Sequence, residues 1–326
     1  MGSCAHIREG CILEEKANGA HSVGLKHTIL FPFVTIGSLI NFCDCLMTGG
    51  TSRENHSEVG SSYIHFNFTP NQDKATPSLI GDVCKGVMLD QSPIFLGGQG
   101  GLVGPARLEY GTVIAAGIIL RRDSLEKNKL ITERGLMDRK LNYYPGLYWH
   151  IERLVINNIN YIANLIALSQ WYRGVRSQFF QATPLDEALY QGTQEKLHLC
   201  IQERIHRFKA FVLRLPESIN IYLDVMKKKA SDKLVRQKED IYSNWPETED
   251  ILSHFIENES DSPEMTAFLE KIAAERKKKG NDYITVIQGI EPKWHEKGVV
   301  WLKGIVNNIN KAVFKKIPSF NLKKFY

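Results

Sequence analysis

His56 stands in an Asn55-His56-Ser57 step, Asn67 follows between Phe66 and Phe68, and Lys74 comes seven residues later. Imidazole changes charge near neutral pH, so a single histidine among polar neighbours can move a proton. The same residues also suit a solvated excursion, with the histidine on a backbone carbonyl, the asparagine bonding its own turn and the lysine in water. The other chemistry-bearing residues are less ordered. Cys43-Asp44-Cys45 is half of a metal site without a second pair, and His27 and His56 stand at no ligand spacing, so no metal is expected. Glu195 with His198, Glu203 with His206, and Asp250 with His254 are at helical spacing, where such pairs sit on a solvated face.

A repeat dictates the elements that must position these residues. From Leu96 the chain divides every six residues as LGGQGG, LVGPAR, LEYGTV, IAAGII and LRRD, with Leu96, Leu102, Leu108, Ile114 and Leu120 in register. Each unit supplies one short strand and a turn, three units make a triangular winding, and stacked windings bury the first-position aliphatic. Upstream the rhythm is looser: Ile7 with Leu13, Val23 with Ile29, and Ile36 with Phe42 are six apart, but the phase slips between pairs. The spacing predicts a parallel β-helix of hexapeptide repeats over residues 1–124, left-handed against the usual crossover preference. The pattern is already running at Ile7, so either earlier windings are missing or another part of the assembly covers that end.

After Asp123 the period becomes helical, giving a β plus α chain with a linker over 125–144 and an all-helical C-terminal domain over 145–326. Apolar residues at three-and-four spacing predict a long amphipathic helix over 147–175. Thr183-Pro184 opens a second helix running to about Leu215, which Pro216 ends; further helices are predicted over 231–242, 247–255, 263–279 and 302–314. No strand there leads into a Gly-rich turn and helix, so a nucleotide-binding loop is not expected.

The chain has 326 residues, 43% hydrophobic and 24% charged, with a formal charge of +5. No apolar run approaches the roughly 20 residues of a membrane span, and the start lacks a signal pattern, so a cytoplasmic protein is expected. Its six cysteines are then expected to be reduced. The lysine runs 227–229 and 277–279 carry no interleaved aromatics, so nucleic-acid binding is not expected.

With the repeat in hand, Asn55-His56-Ser57, Gly60, Phe66-Asn67-Phe68, Lys74, Ile80-Gly81-Asp82 and Ile114-Ala115-Ala116-Gly117 together resemble the acetyltransferase half of the bifunctional glucosamine-1-phosphate acetyltransferase and uridyltransferase. The likeness covers roughly the first 124 residues, and is nearest to uncharacterised proteins related to UDP-N-acetylglucosamine pyrophosphorylase. The resemblance implies a homotrimer with His56 as general base, Asn67 and Lys74 near a sugar acceptor, and Ala115, Ala116 and Gly117 beside acetyl-CoA or another acyl-CoA donor. The family's acceptor-binding Arg and Lys have no clear match here, with Arg53, Lys26 and His27 the candidates to substitute for them, and Val59 stands where the family has a tyrosine. The uridyltransferase half is absent, so pyrophosphorylase activity is not expected of this chain. The functional expectation is an acyltransferase acting on a sugar phosphate or sugar nucleotide. The alternative is a non-catalytic β-helix scaffold or sugar-nucleotide-binding protein. A carbonic-anhydrase-like metal β-helix would need His21, His27, His56 and His65 at a spacing they do not have.

Overall fold

A computed structural model describes residues 1–132, 142–181, 183–258 and 261–320. Short strands form three parallel sheets of six, five and six strands, here called A, B and C. The chain visits them in turn: His6–Ile7 lies in A, Ile12–Leu13 in B and Asn18–Gly19 in C, and Val23–Lys26 returns to A beside the first strand. This arrangement fits a parallel β-helix. Leu96, Leu102, Leu108, Ile114 and Leu120 fall one to a strand, all point inward, and none is more than 3% exposed.

The upstream phase slip has a physical cause. Ile12 pairs with Ile29 and Ile29 with Leu46, so each winding there takes 17 residues, whereas Leu102 pairs with Leu120 across 18. The missing residue is lost at the turn from sheet A to sheet B, where His27 and Asp44 take left-handed backbone conformations with φ of 48° and 60°. Asp tolerates that conformation because its short polar side chain can bond locally.

The stretch 53–82 is almost a complete winding, with strands Glu58–Val59 in C, Ile64–Phe66 in A and Ser78–Ile80 in B. The expectation of a single solvated excursion is therefore corrected: separate excursions leave at the A-to-B turn over 67–77 and at two successive B-to-C turns over 48–57 and 81–94. Strand Leu130–Ile131 pairs in sheet C with Val113–Ile114, so the stack runs past residue 124 into the expected linker, part of which lies outside the described residues.

Nine α-helices are described: α1 Val83–Gly86, α2 Glu152–Gly174, α3 Pro184–Val212, α4 Leu215–Met226, α5 Asp232–Ser243, α6 Trp245–Glu257, α7 Pro263–Lys279, α8 Tyr283–Gln288 and α9 Pro292–Lys316. Three expectations need correction. The long helix begins at Glu152, not 147. Pro216 sits in the first turn of α4, where its missing N–H costs nothing, so it opens a helix as well as closing one. The terminal helix starts at Pro292, because Trp294 and His295 already belong to its first turns.

Helix α2 lies along sheet B. Tyr172 Oη donates to Glu14 Oε1 (2.6 Å) near the first winding, Asn164 Oδ1 accepts from the Val83 N–H (3.0 Å) further on, and Asn157 Nδ2 donates to Asp123 Oδ1 (2.9 Å) at the far end. With α3 and α9 against its other faces, α2 is buried nearly all round rather than amphipathic. Its Asn157, Asn158 and Asn164 are 1–2% exposed, and each makes a hydrogen bond to a backbone or carboxylate group of the excursions and turns. Sheet B is thus covered on its outer side, and sheets A and C are not covered by this helix.

Candidate functional site

The residues singled out by sequence lie at three different turns of the triangular stack. His56 and Arg53 belong to the excursion between sheets B and C, Asn67 and Lys74 to the one between A and B, and Ala115–Gly117 to the turn between C and A.

Excursion 48–57 is a small self-bonded loop. Gly49 and Gly50 take φ of 101° and 97°, and a Cβ on Gly50 would come within 2.6 Å of the His56 Cα, so the loop closes only with glycine there. The Thr51 N–H donates to the Asn55 carbonyl (2.7 Å) and Ser52 Oγ accepts from the Glu54 and Asn55 N–H groups. Arg53 folds back over the outer side of sheet C and donates to the Phe33 carbonyl (3.0 Å) and Thr35 Oγ1 (2.9 Å). His56 Nδ1 is 2.7 Å from the Arg53 carbonyl. A carbonyl only accepts, so Nδ1 carries the hydrogen and a neutral ring presents its lone pair at Nε2. Nε2 is 3.7 Å from Glu58 Oε2, beyond a hydrogen bond.

The A-to-B turn is closed. Asn67 Nδ2 donates to Asp44 Oδ2 (2.6 Å), and Asp44 Oδ1 meets Arg204 Nη2 of α3 at 2.9 Å, with both charged side chains 3–4% exposed. Arg204 Nε and Nη1 are buried with no hydrogen-bond partner among the described residues. Asp73 accepts from Tyr148 Oη (2.7 Å) and Asn71 Oδ1 from the Gly146 N–H (3.2 Å), tying the excursion to the segment that leads into α2. Lys74 is exposed, on a backbone with φ of 54°, as are Phe68, Pro70 and Gln72 of the same excursion. His65 lines the inside of sheet A, held by the Cys43 carbonyl (2.6 Å) and Ser78 Oγ (2.8 Å), and burial drops its pKa to about 4. Neutral and enclosed, it is a core residue.

At the C-to-A turn Ala116 and Gly117 are exposed, and a Cβ on Gly117 would meet nothing within 4 Å. His56 and Ala115 therefore flank sheet C on opposite edges, with strands 58–59, 95–96 and 113–114 stacked between them. One chain brings His56 together with Arg53 and Asn67 together with Asp44; it does not bring the three turns together.

Three features carry no sequence signal that singles them out. A cavity of about 770 Å³ beside the His56 excursion is lined by Asp90, Gln91, Gln288 and His295, and Gln288 Nε2 donates to the Thr51 carbonyl (2.6 Å). There His295 faces two acceptors, Asp90 Oδ2 (3.0 Å) and the Ile287 carbonyl (2.9 Å); burial opposes the imidazolium, but these partners outweigh it and raise the pKa. Lys238 is fully buried, with Nζ 2.9 Å from Ser218 Oγ and 5.0 Å from the Tyr222 ring, and burial drops its pKa to about 8. Ser218 and Lys238 have the atoms of a nucleophile and its base, yet both side chains are sealed from solvent. Among the described residues no group of three or more His, Cys, Asp or Glu is placed to hold a metal, and no helix is long and apolar enough to cross a membrane.

A scan against protein-family models finds no match, and a search of curated proteins finds none either.

Proposed function

We propose that the chain is an acyltransferase of the left-handed hexapeptide-repeat type, moving an acyl group from a CoA thioester to an amine or hydroxyl of a sugar phosphate or sugar nucleotide. The observation that carries this reading is the Nδ1 contact of His56 with the Arg53 carbonyl, which leaves Nε2 as a base. Nε2 would take the proton of the acceptor as it attacks the thioester carbonyl and return it to the departing thiolate. Glu58 would stabilise the imidazolium in between, and exposed Lys74 is available to an acceptor phosphate. The open turn at Ala115–Gly117 has room for the donor's arm, and the donor supplies the activated acyl group. Because His56 and that turn lie on opposite edges of sheet C, the site would form between neighbouring copies of a homotrimer.

A second reading, a sugar-nucleotide-binding scaffold without catalysis, is favoured by the engagement of Arg53 and Asn67 within the chain. Calorimetry with acetyl-CoA and with UDP-N-acetylglucosamine, beside a transfer assay, separates the two. Transfer that falls about 10²–10⁴-fold in His56→Ala with binding retained supports the base assignment. Binding of the sugar nucleotide without transfer favours the scaffold, and binding of neither ligand removes both readings.

A further inference from the structure

Helix α3 runs past the first winding of the stack. Cys200 Sγ donates to the Gly10 carbonyl in that winding (3.2 Å), and Arg204 meets Asp44 two windings further on. At 1.5 Å per residue, residues 184–196 therefore extend roughly 20 Å beyond the level of Gly10. None of them is buried. Leu185 is 67% exposed, Leu189 51% and Leu199, just inside the overhang, 36%. At 3.6 residues per turn these leucines share one stripe with Gly192, where a Cβ would meet nothing within 4 Å.

We propose that this stripe binds a second copy of the chain across a two-fold axis, α3 against α3, antiparallel, with Gly192 at the crossing. The stripe is its own complement. Leu185 and Leu199 are each seven residues from Gly192, so antiparallel pairing sets Leu185 of one copy against Leu199 of the other. Glycine at the crossing lets the backbones approach closely. Charge agrees with the same register: Asp186, in the first turn, flanks the stripe and comes beside Lys196 of the second copy. The same patch serves both partners, so the contact closes at two copies and does not propagate. It requires no threefold axis, and combined with one it would give six chains.

Light scattering on the full chain over a dilution series tests this. The expected mass is an even multiple of the chain, and Leu185→Asp with Leu199→Asp halves it while circular dichroism and the melting temperature stay unchanged, both side chains being exposed. Gly192→Cys should give a covalent dimer on mild oxidation and Gln202→Cys, further along α3, should not, each compared with the unaltered chain and its exposed Cys4. A wild-type mass of one or three chains, or a mass that the double variant leaves unchanged, overturns the proposal.

Discussion

Two turns of the same stack carry residues from one sequence motif, yet they differ in kind. At the A-to-B turn, half-buried Asn67 donates to Asp44, which is enclosed with Arg204 under α3; at the B-to-C turn, His56 is half-buried as well, but one nitrogen meets only a backbone carbonyl and the other has no hydrogen bond among the described residues. A helix packed over a turn converts polar groups into structure, because a buried charge must be paired and a buried amide bonded. Without such a cover the same residue types stay available for chemistry. Where α3 lies, and not the residue types themselves, separates the two turns.

The sharpest way to break this contrast is to remove one charge from the enclosed turn. Asp44→Asn keeps the shape and the tolerance for a left-handed backbone but leaves Arg204 unpaired, and should cost about 3–5 kcal/mol in urea unfolding. A loss no larger than that of a surface substitution would mean that the ion pair does not hold α3 to the stack.

Lys238 extends the contrast to an enclosed charge with no carboxylate partner among the described residues. Lys238→Met should stabilise the protein by about 1–3 kcal/mol at pH 7, within the scale of a pKa lowered from 10.5 to about 8. The unfolded lysine keeps its proton to about 10.5 while the folded one loses it near 8, so between these values the unfolded state binds more protons. Wild-type stability therefore rises with pH across that window relative to the variant, and the advantage of methionine shrinks. A stability difference independent of pH would argue against a buried ammonium.

The smallest effect compares the two motif residues directly. Asn67→Ala should lose about 1–2 kcal/mol, because it strips a hydrogen bond from a buried carboxylate, whereas His56→Ala should stay within about 0.5 kcal/mol. Equal losses in thermal melts would erase the distinction between the turns.

Much of the fold was legible because the interior of a β-helix repeats. Leu96 to Leu120 read cleanly, since no excursion interrupts them and each lands inward on its own strand. Upstream, five-residue steps at His27 and Asp44 and three excursions broke the period, which made one winding look like a single loop. In the helices, spacing located α5, α6 and α7 closely but suggested one apolar stripe on α2, because a one-dimensional pattern does not show that sheet B, α3 and α9 enclose it. The site was legible as residue types and not as places. Nothing in the spacing of His56, Asn67 and Ala115 tells which side of a triangle each will occupy, and the partners that matter to Asn67 come from Asp44, 23 residues earlier, and from Arg204 in another part of the chain.

The alignment of α2 with sheet B constrains how this protein can change length. Windings are spaced by about 4.8 Å and helical residues by 1.5 Å, so one inserted winding calls for about three more residues in α2 to keep both ends engaged. Three residues turn a helix by roughly 300°, not a full circle, and would swing Asn157 and Asn158 away from the groups they now satisfy. Helix and stack act as two rulers with incommensurate marks: they agree over the present number of windings, and a duplicated or deleted repeat would put them out of step.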